Sequence, residues 1–145
     1  MTFFPNLFRP TLVLAFVLFL GCGDDGPTDP TVNSVAGSYV ATTFSVHQGT
    51  GPAVNLLSRG ASIDVTLTAA GNVSGQMIIP DTPEFGPGFT TDISGTFTVT
   101  GSILRFTQIA DTFIRDFLWT IDGDTLTASG DAGSGTTAEV TLRRE

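Results

Sequence analysis

The chain has 145 residues, which suits one domain, and its 14 acidic and six basic side chains give a net charge of −8. Because nucleic-acid binding needs clustered basic side chains against the phosphates, this charge argues against a nucleic-acid partner and favours a soluble monomer. A single cysteine excludes a disulfide framework, so the folded part must rely on its apolar core.

The first 21 residues have the pattern of a secretory signal peptide. One basic residue, Arg9, precedes an apolar run of about ten residues that ends at the small residue Gly21. This run is shorter than the ~20 apolar residues that a membrane-spanning helix needs. We therefore predict a cleaved signal peptide over residues 1–21.

The only cysteine of the chain directly follows this apolar run. The stretch Phe19-Leu20-Gly21-Cys22 resembles the lipobox of bacterial lipoproteins, in which the cysteine becomes the first mature residue and carries acyl chains. The resemblance implies lipidation of Cys22 and a membrane partner through that anchor; an ordinary signal peptide is the alternative. Gly23 follows, instead of the aspartate that holds many such lipoproteins in the inner membrane. We therefore expect the outer membrane, on either its periplasmic or its surface face.

Residues 22–34 are rich in Gly, Pro, Asp and Thr and carry little apolar surface. Such a composition is typical of a flexible linker. Its three aspartates lack the alternating spacing of a calcium-binding loop. We interpret the segment as a tether between the lipidated cysteine and a domain that begins near Val35.

From Val35 onward the chain is dominated by Thr, Ser, Gly and β-branched residues, with turn signals about every ten residues. In the segment 61–68, for example, Ile63, Val65 and Leu67 alternate with polar side chains, which is the pattern of a half-buried strand. On these criteria the sequence predicts eight strands, over residues 37–46, 61–68, 73–79, 93–100, 103–109, 112–121, 125–129 and 138–144.

Short sequential strands joined by tight turns favour a meander that closes on itself and leaves no exposed edge. We predict that residues 35–145 form an all-β domain, an eight-stranded antiparallel up-and-down β-barrel. A two-sheet β-sandwich is the alternative, because its strands have similar spacing. The interior of such a barrel is just wide enough for side chains or for one small ligand.

Two long connections are candidates for a mouth of this barrel. One spans residues 47–60, and the other, residues 80–91, combines three prolines with Phe85 and Phe89. Connections that carry exposed aromatic side chains are common places for contact with a ligand or partner. They can equally fold back and plug the barrel, so both interpretations stay open.

Several short motifs resemble those of small lipocalin-like bacterial lipoproteins. Gly37-Ser38-Tyr39 is similar to the Gly-x-Trp opening of that family, with Tyr in the Trp position. The stretch LTAAGNVSG at 67–75 resembles one of its hairpins, and IDGDTLT at 121–127 with VTLRRE at 140–145 resembles the closing hairpin. The resemblance covers most of residues 35–145. It implies a calycin-type barrel in the cell envelope.

The resemblance also implies a specific contact between the two ends of the domain. In lipocalins an arginine near the end of the last strand lies over the first aromatic residue. Here this implies a cation–π contact of Arg143 or Arg144 with Tyr39, which closes the fold and has no catalytic role. The alternative is that both arginines are solvated at a frayed terminus.

Few side chains of this chain could carry out catalysis. His47 is the only histidine, it lies in a long connection, and no nucleophile-elbow motif accompanies it. One histidine and one acylated cysteine do not make a metal site. The carboxylates lie in turns or on polar strand faces: Asp64, Asp111, Asp116, Asp122 and Asp124. We predict that the protein is not an enzyme and has no cofactor or metal.

Binding of a small molecule fits the sequence better than catalysis does. By parity, one face of the predicted strand 112–121 carries Phe113, Arg115, Phe117, Trp119 and Ile121. If this face points inward, it joins the other aromatic residues of the barrel, and the candidate ligand-binding residues are Tyr39, Phe97, Phe106, Arg115, Phe117 and Trp119. The alternative is that the aromatics fill the core and Arg115 lies at the rim with its charge in water.

Two functions therefore stay open for a lipid-anchored envelope protein of this kind. In the first, the barrel holds a small apolar or amphipathic molecule. In the second, a filled barrel acts through its outer surface as a scaffold, inhibitor or assembly partner. A cavity of several hundred cubic ångströms favours the first, since that is the usual size of a ligand pocket.

Overall fold

The computed structural model describes residues 29–82, 86–108, 110 and 112–145. The predicted signal peptide, Cys22 and the first part of the tether lie outside these residues, as do Phe85 and Asp111. None of the helices in the described ranges has the length and apolar character needed to cross a membrane.

The described residues form nine strands and two short helical turns. A helical turn α1 covers Phe113–Asp116, and a 3-10 turn covers Leu57–Arg59. The strands are β1 (Gly37–Gln48), β2 (Val54–Asn55), β3 (Ser62–Leu67), β4 (Asn72–Ile79), β5 (Phe89–Thr100), β6 (Ile103–Gln108), β7 (Trp119–Asp122), β8 (Thr125–Gly133) and β9 (Thr136–Arg144).

Eight of the strands in this part of the chain make one closed antiparallel barrel. The order is β1-β3-β4-β5-β6-β7-β8-β9, and β9 pairs back with β1 over the whole of β9 and from Tyr39 to Gln48 of β1. The two-residue strand β2 is an addition that pairs with β1 beside β3. The prediction of an eight-stranded up-and-down barrel is therefore confirmed, and the sandwich alternative is wrong.

Alternation along the strands puts apolar side chains inside the barrel and polar ones outside. In β3, Ile63, Val65 and Leu67 are at most 2% exposed, while Asp64 and Thr66 face solvent. Burying one such aliphatic side chain stabilises the fold by about 1.5–3 kcal/mol. The buried side chains of all the barrel strands join in a single cluster, which is the core of the domain.

Strand β1 changes the parity of its buried positions halfway along. Its pairing with β9 shifts register between Ala41 and Thr43, as expected at a β-bulge. Before the shift Tyr39 is buried, and after it Phe44 and Val46 are buried. The bulge therefore lets an odd position near the start of β1 and even positions near its end face the same core.

The segment 112–121, predicted as one strand, divides into α1 and β7. β7 pairs with β6 only through residues 119–120 and with β8 only through residues 120–122. Beyond these pairs α1 takes the place of the strand and contacts both β6 and β8. The strand prediction is thus wrong for the first part of the segment, because Phe113 and Phe117 lie four positions apart and suit one helical face as well as one strand face.

The two ends of the barrel have different kinds of connection. At one end, named here the closed end, consecutive strands are joined by tight turns, whereas the other end, named here the mouth, carries the long connections. The closed end has the turns at 68–71, 101–102 and 123–124. The mouth has the connection 49–61, the described residues 80–82 and 86–88, the described residues 110 and 112–118, and the turn 134–135. Any space for a ligand is therefore to be sought at the mouth.

The folded unit includes some residues of the predicted tether. Thr31 and Ser34 exchange hydrogen bonds between their side chains and main chains at 2.8–3.1 Å, forming a turn before β1. Val35 is 1% exposed, and Val32 packs against the core. Packing thus begins at this turn, a few residues before the predicted boundary at residue 35.

Candidate functional site

The arginine contact implied by the lipocalin resemblance is present at the closed end. The guanidinium carbon of Arg144 lies 5.4 Å from the centroid of the Tyr39 ring. The Nη2 atom of Arg144 also donates to the Tyr39 hydroxyl at 2.9 Å and to the main-chain oxygen of Ser34 at 2.7 Å. Arg144 makes this contact, whereas Arg143 is exposed. The arrangement seals the closed end.

The aromatic residues proposed as a ligand site fill the centre of the barrel. Tyr39, Phe97, Phe106, Phe117 and Trp119 are each at most 4% exposed and belong to the core cluster. The rings of Phe106 and Trp119 meet edge to face with centroids 5.7 Å apart, a favourable aromatic geometry. The structure thus places these five residues in packed core, as the alternative interpretation expected.

The sixth candidate, Arg115, does not join the aromatic centre. It lies on α1 with a third of its side chain exposed, and its Nε donates to the Asp116 carboxylate at 2.8 Å. Arg115 therefore does not share an inward face with Phe113 and Phe117, because strand parity does not apply to a helical turn.

The turn α1 closes much of the mouth with apolar side chains. Ile114 is fully buried, and the Phe113 ring lies 5.7 Å from Phe44 and 5.2 Å from Phe117 between centroids. The Trp119 indole nitrogen donates to the main-chain oxygen of Ile114 at 3.0 Å, which ties the turn to the core. The plug is thus formed by α1, which belongs to neither of the two connections that the sequence singled out.

A pocket of about 300 Å³ remains at the mouth beside α1. We name it the mouth pocket. It is bounded by β1, the connections after β1 and β4, the start of β5, α1 and the β8–β9 turn. Its described lining consists of Phe44, Val46, Gln48, Leu56, Ile79, Gly86, Pro87, Phe89, Phe113, Ala132, Gly133, Ser134 and Thr136.

The mouth pocket has a buried apolar floor and an exposed apolar rim. Phe44 and Leu56 in the floor are 0% and 2% exposed, whereas Phe89 on the rim is 48% exposed. The volume lies at the lower limit of the range for small-molecule sites. At about 30 Å³ for each water-sized atom, it suits a molecule of about ten non-hydrogen atoms.

Uncharged polar side chains occupy one corner of the mouth pocket. Gln48 and Thr136 are paired across β1 and β9, and Ser134 lies in the adjoining turn. Ser134 is the one non-glycine residue with positive φ in the described ranges, at 54°. Such a conformation is uncommon outside glycine, asparagine and aspartate, and it holds this side chain at the rim.

Both predicted mouth connections contribute to the pocket, although most of the lining was not foreseen. Leu56 comes from the first connection, and Phe89, singled out in the sequence, comes from the end of the second. The sequence does not identify Phe44 as a lining residue. With Tyr39 buried, regular alternation along β1 predicts that odd-numbered side chains face the core, and the bulge reverses this parity before Phe44. Phe113 was taken for a strand residue of the barrel centre.

The only histidine of the chain is not part of the described lining of the mouth pocket. His47 lies on the outward face of β1, where its Nδ1 is 3.3 Å from the main-chain oxygen of Gly49. Within the described ranges no three His, Cys, Asp or Glu side chains come together as a metal site. What the pocket presents is an apolar surface with a few hydroxyl and amide groups.

Comparison with known proteins adds no relative: no family model, no curated protein and no solved structure matches the chain.

Proposed function

We propose that the protein is a lipid-anchored module of the bacterial cell envelope that binds a small apolar or amphipathic molecule in the mouth pocket. The observation that carries the proposal is the pocket itself, with its apolar floor of Phe44 and Leu56 and its exposed rim residue Phe89. A large apolar side chain exposed beside a concave apolar surface is typical of a binding site.

The proposed localisation in the cell envelope rests on the N-terminal sequence. A short apolar run followed by Gly21-Cys22 and a polar segment supports export and lipidation. The barrel, with Arg144 over Tyr39, supports kinship with the small lipocalin-like lipoproteins that the sequence motifs resemble.

Native mass spectrometry tests the binding proposal directly. The chain from Gly23 to Glu145 contains every described strand and core residue, and is purified from a bacterial periplasm without detergent. We expect a discrete extra mass that is lost on denaturation. A bare polypeptide mass, together with failure to bind added small apolar molecules, would contradict the proposal and favour a filled barrel that acts through its outer surface.

Replacing the cysteine tests the anchor separately. We expect the wild-type protein in the membrane fraction with a mass that includes acyl chains on Cys22, and Cys22→Ser protein without them. If wild-type protein is found in the membrane but carries no acyl chains, the lipid-anchor proposal is wrong while the binding proposal is unaffected.

A further inference from the structure

The mouth pocket combines an apolar floor with a corner of uncharged hydrogen-bonding groups. The apolar side is formed by Phe44, Leu56 and Phe113, and the polar corner by Gln48 and Thr136 with Ser134 beside them. None of the described lining residues is ionisable. In a chain with 20 charged side chains out of 145, this makes the pocket lining unlike the rest of the surface.

None of the cationic side chains of the described residues belongs to the lining of the mouth pocket. Arg105 faces outward on β6, and Arg143 and Arg144 are at the closed end. Arg59 is exposed in the 3-10 turn, and Arg115 holds the carboxylate of its neighbour Asp116. An anionic headgroup in the mouth pocket would therefore meet no positive charge among the described lining.

Two carboxylates lie beside the mouth pocket. Asp116 and Asp131 line a shallow depression that shares Phe113, Ala132 and Gly133 with the mouth pocket. Both already have partners, since Asp116 accepts from Arg115 and Asp131 accepts from the amide of Gly133 at 2.8 Å. They disfavour an anion nearby, and the net charge of −8 adds to this repulsion. The described lining itself offers no carboxylate as a counter-ion to a cation.

From this arrangement, and resting on the proposed function, we infer that the ligand is an uncharged amphipathic molecule of about ten non-hydrogen atoms. Its apolar part lies on Phe44, Leu56 and Phe113, and one hydroxyl, ester or amide group lies at the corner of Gln48, Ser134 and Thr136. A carboxylate placed at this corner meets no positive charge among the described lining residues, and Asp131 lines the adjoining depression. The site therefore discriminates against fatty-acid anions, although their chains fit equally well.

Three unbranched probes of eight carbon atoms each test this inference on the chain from Gly23 to Glu145 at pH 7.5. They are 1-octanol, octanoate and octylammonium. Binding is followed by the amide NMR shifts of Gly133 and Ser134 at the mouth, with Gly71 and Gly101 at the closed end as internal controls. We expect 1-octanol to bind at least tenfold more tightly than octanoate, and octylammonium to bind no more tightly than 1-octanol.

The outcomes separate the inference from the proposed function. If octanoate binds as tightly as 1-octanol, or octylammonium binds more tightly than either, the mouth pocket binds small molecules but the uncharged class is wrong. If all three shift the mouth amides no more than the closed-end amides, the proposed function fails, and the inference fails with it.

A variant tests the polar corner. Gln48→Met, Ser134→Gly and Thr136→Val together remove its three side-chain hydrogen-bonding groups while keeping the volume of two of them and the positive φ of the third. We expect the affinity for 1-octanol to fall about three- to tenfold, the usual effect of losing one hydrogen bond. Thr98→Val on the outward face of β5 is the matched control, and an unchanged affinity in the triple variant would overturn the assigned corner.

Discussion

Arg144 and Tyr39, 105 positions apart in the chain, are joined through both the face and the hydroxyl of the tyrosine ring. The hydroxyl accepts from Arg144 and donates to the main-chain oxygen of Val35 at 2.9 Å. The same guanidinium lies 3.4 Å from the Asp124 carboxylate in the β7–β8 turn. One side chain thus connects the N-terminal turn, the first strand, the last strand and a hairpin.

We expect Arg144→Ala to destabilise the protein by about 2 kcal/mol, because it removes the cation–π contact and charged hydrogen bonds to partly buried groups. The exposed ion pair with Asp124 contributes little to this. Urea denaturation followed by circular dichroism measures the change. Arg143→Ala, which removes an exposed arginine next to it, should change stability by less than about 0.5 kcal/mol; equal effects of the two variants would contradict the assigned role.

A second prediction concerns the contact of α1 with strand β8. A Cβ atom at Gly130 would lie 2.9 Å from Cε1 and 3.1 Å from Cδ1 of the Phe117 ring. We expect Gly130→Ala to destabilise the fold by about 1–3 kcal/mol, since the buried ring has to move. The measurement is the free energy of unfolding.

The double variant Gly130→Ala/Phe117→Leu serves as its control. Because the smaller Leu side chain leaves room for the methyl group, we expect Gly130→Ala to cost less in the Phe117→Leu background than in the wild type. If the effects of the two substitutions on the free energy of unfolding are additive, the Phe117 ring does not clash with a methyl group at position 130.

The close approach of β3 and β4 leads to a third prediction. Gly75 pairs with Val65, and a Cβ atom there would lie 2.8 Å from the Val65 Cα and closer still to the Asp64 carbonyl oxygen. Because main chain has to move, Gly75→Ala should destabilise by more than about 3 kcal/mol or abolish soluble expression. Ser74→Ala, on the outward face of the same strand, should express and unfold like the wild type. Wild-type stability of Gly75→Ala would show that the two strands can separate easily.

Filling the mouth pocket gives a fourth prediction. Ala132 is a partly buried residue of β8 that lines the pocket, so a phenyl group at this position takes up most of the space for a ligand. We expect Ala132→Phe to weaken 1-octanol binding at least tenfold, measured by the same amide shifts. Ala53→Phe places the same side chain in the exposed connection after β1 and should bind like the wild type. If Ala132→Phe also binds normally, the ligand lies elsewhere.

The sequence was sufficient for the fold wherever alternation was regular. In β3, β4 and β5 the buried residues follow every second position, and the turns at the closed end carry the glycines that tight turns need. The contact of an arginine with Tyr39 was expected from a family resemblance that left Arg143 and Arg144 open. The structure shows that Arg144 makes it. Regular local patterns therefore determined most of the barrel.

The mouth was less predictable, because its residues obey no single period. The bulge between Ala41 and Thr43 reverses parity without a distinctive residue to mark it. At α1, the spacing of Phe113 and Phe117 fits both a helix and a strand. The helical turn forms because this segment lies where β7 has no pairing with β6 or β8. Tertiary context thus overrides pattern in the region where the candidate site lies.

The position of the N-terminal turn affects how a ligand could reach the mouth pocket. The described chain starts against the closed end, and β1, 12 residues long, spans up to about 40 Å before it reaches the mouth. In the proposed lipid-anchored form, the tether would therefore join the barrel at its closed end, the end opposite the mouth pocket. A ligand could then enter and leave the mouth pocket without passing the point where the tether is attached.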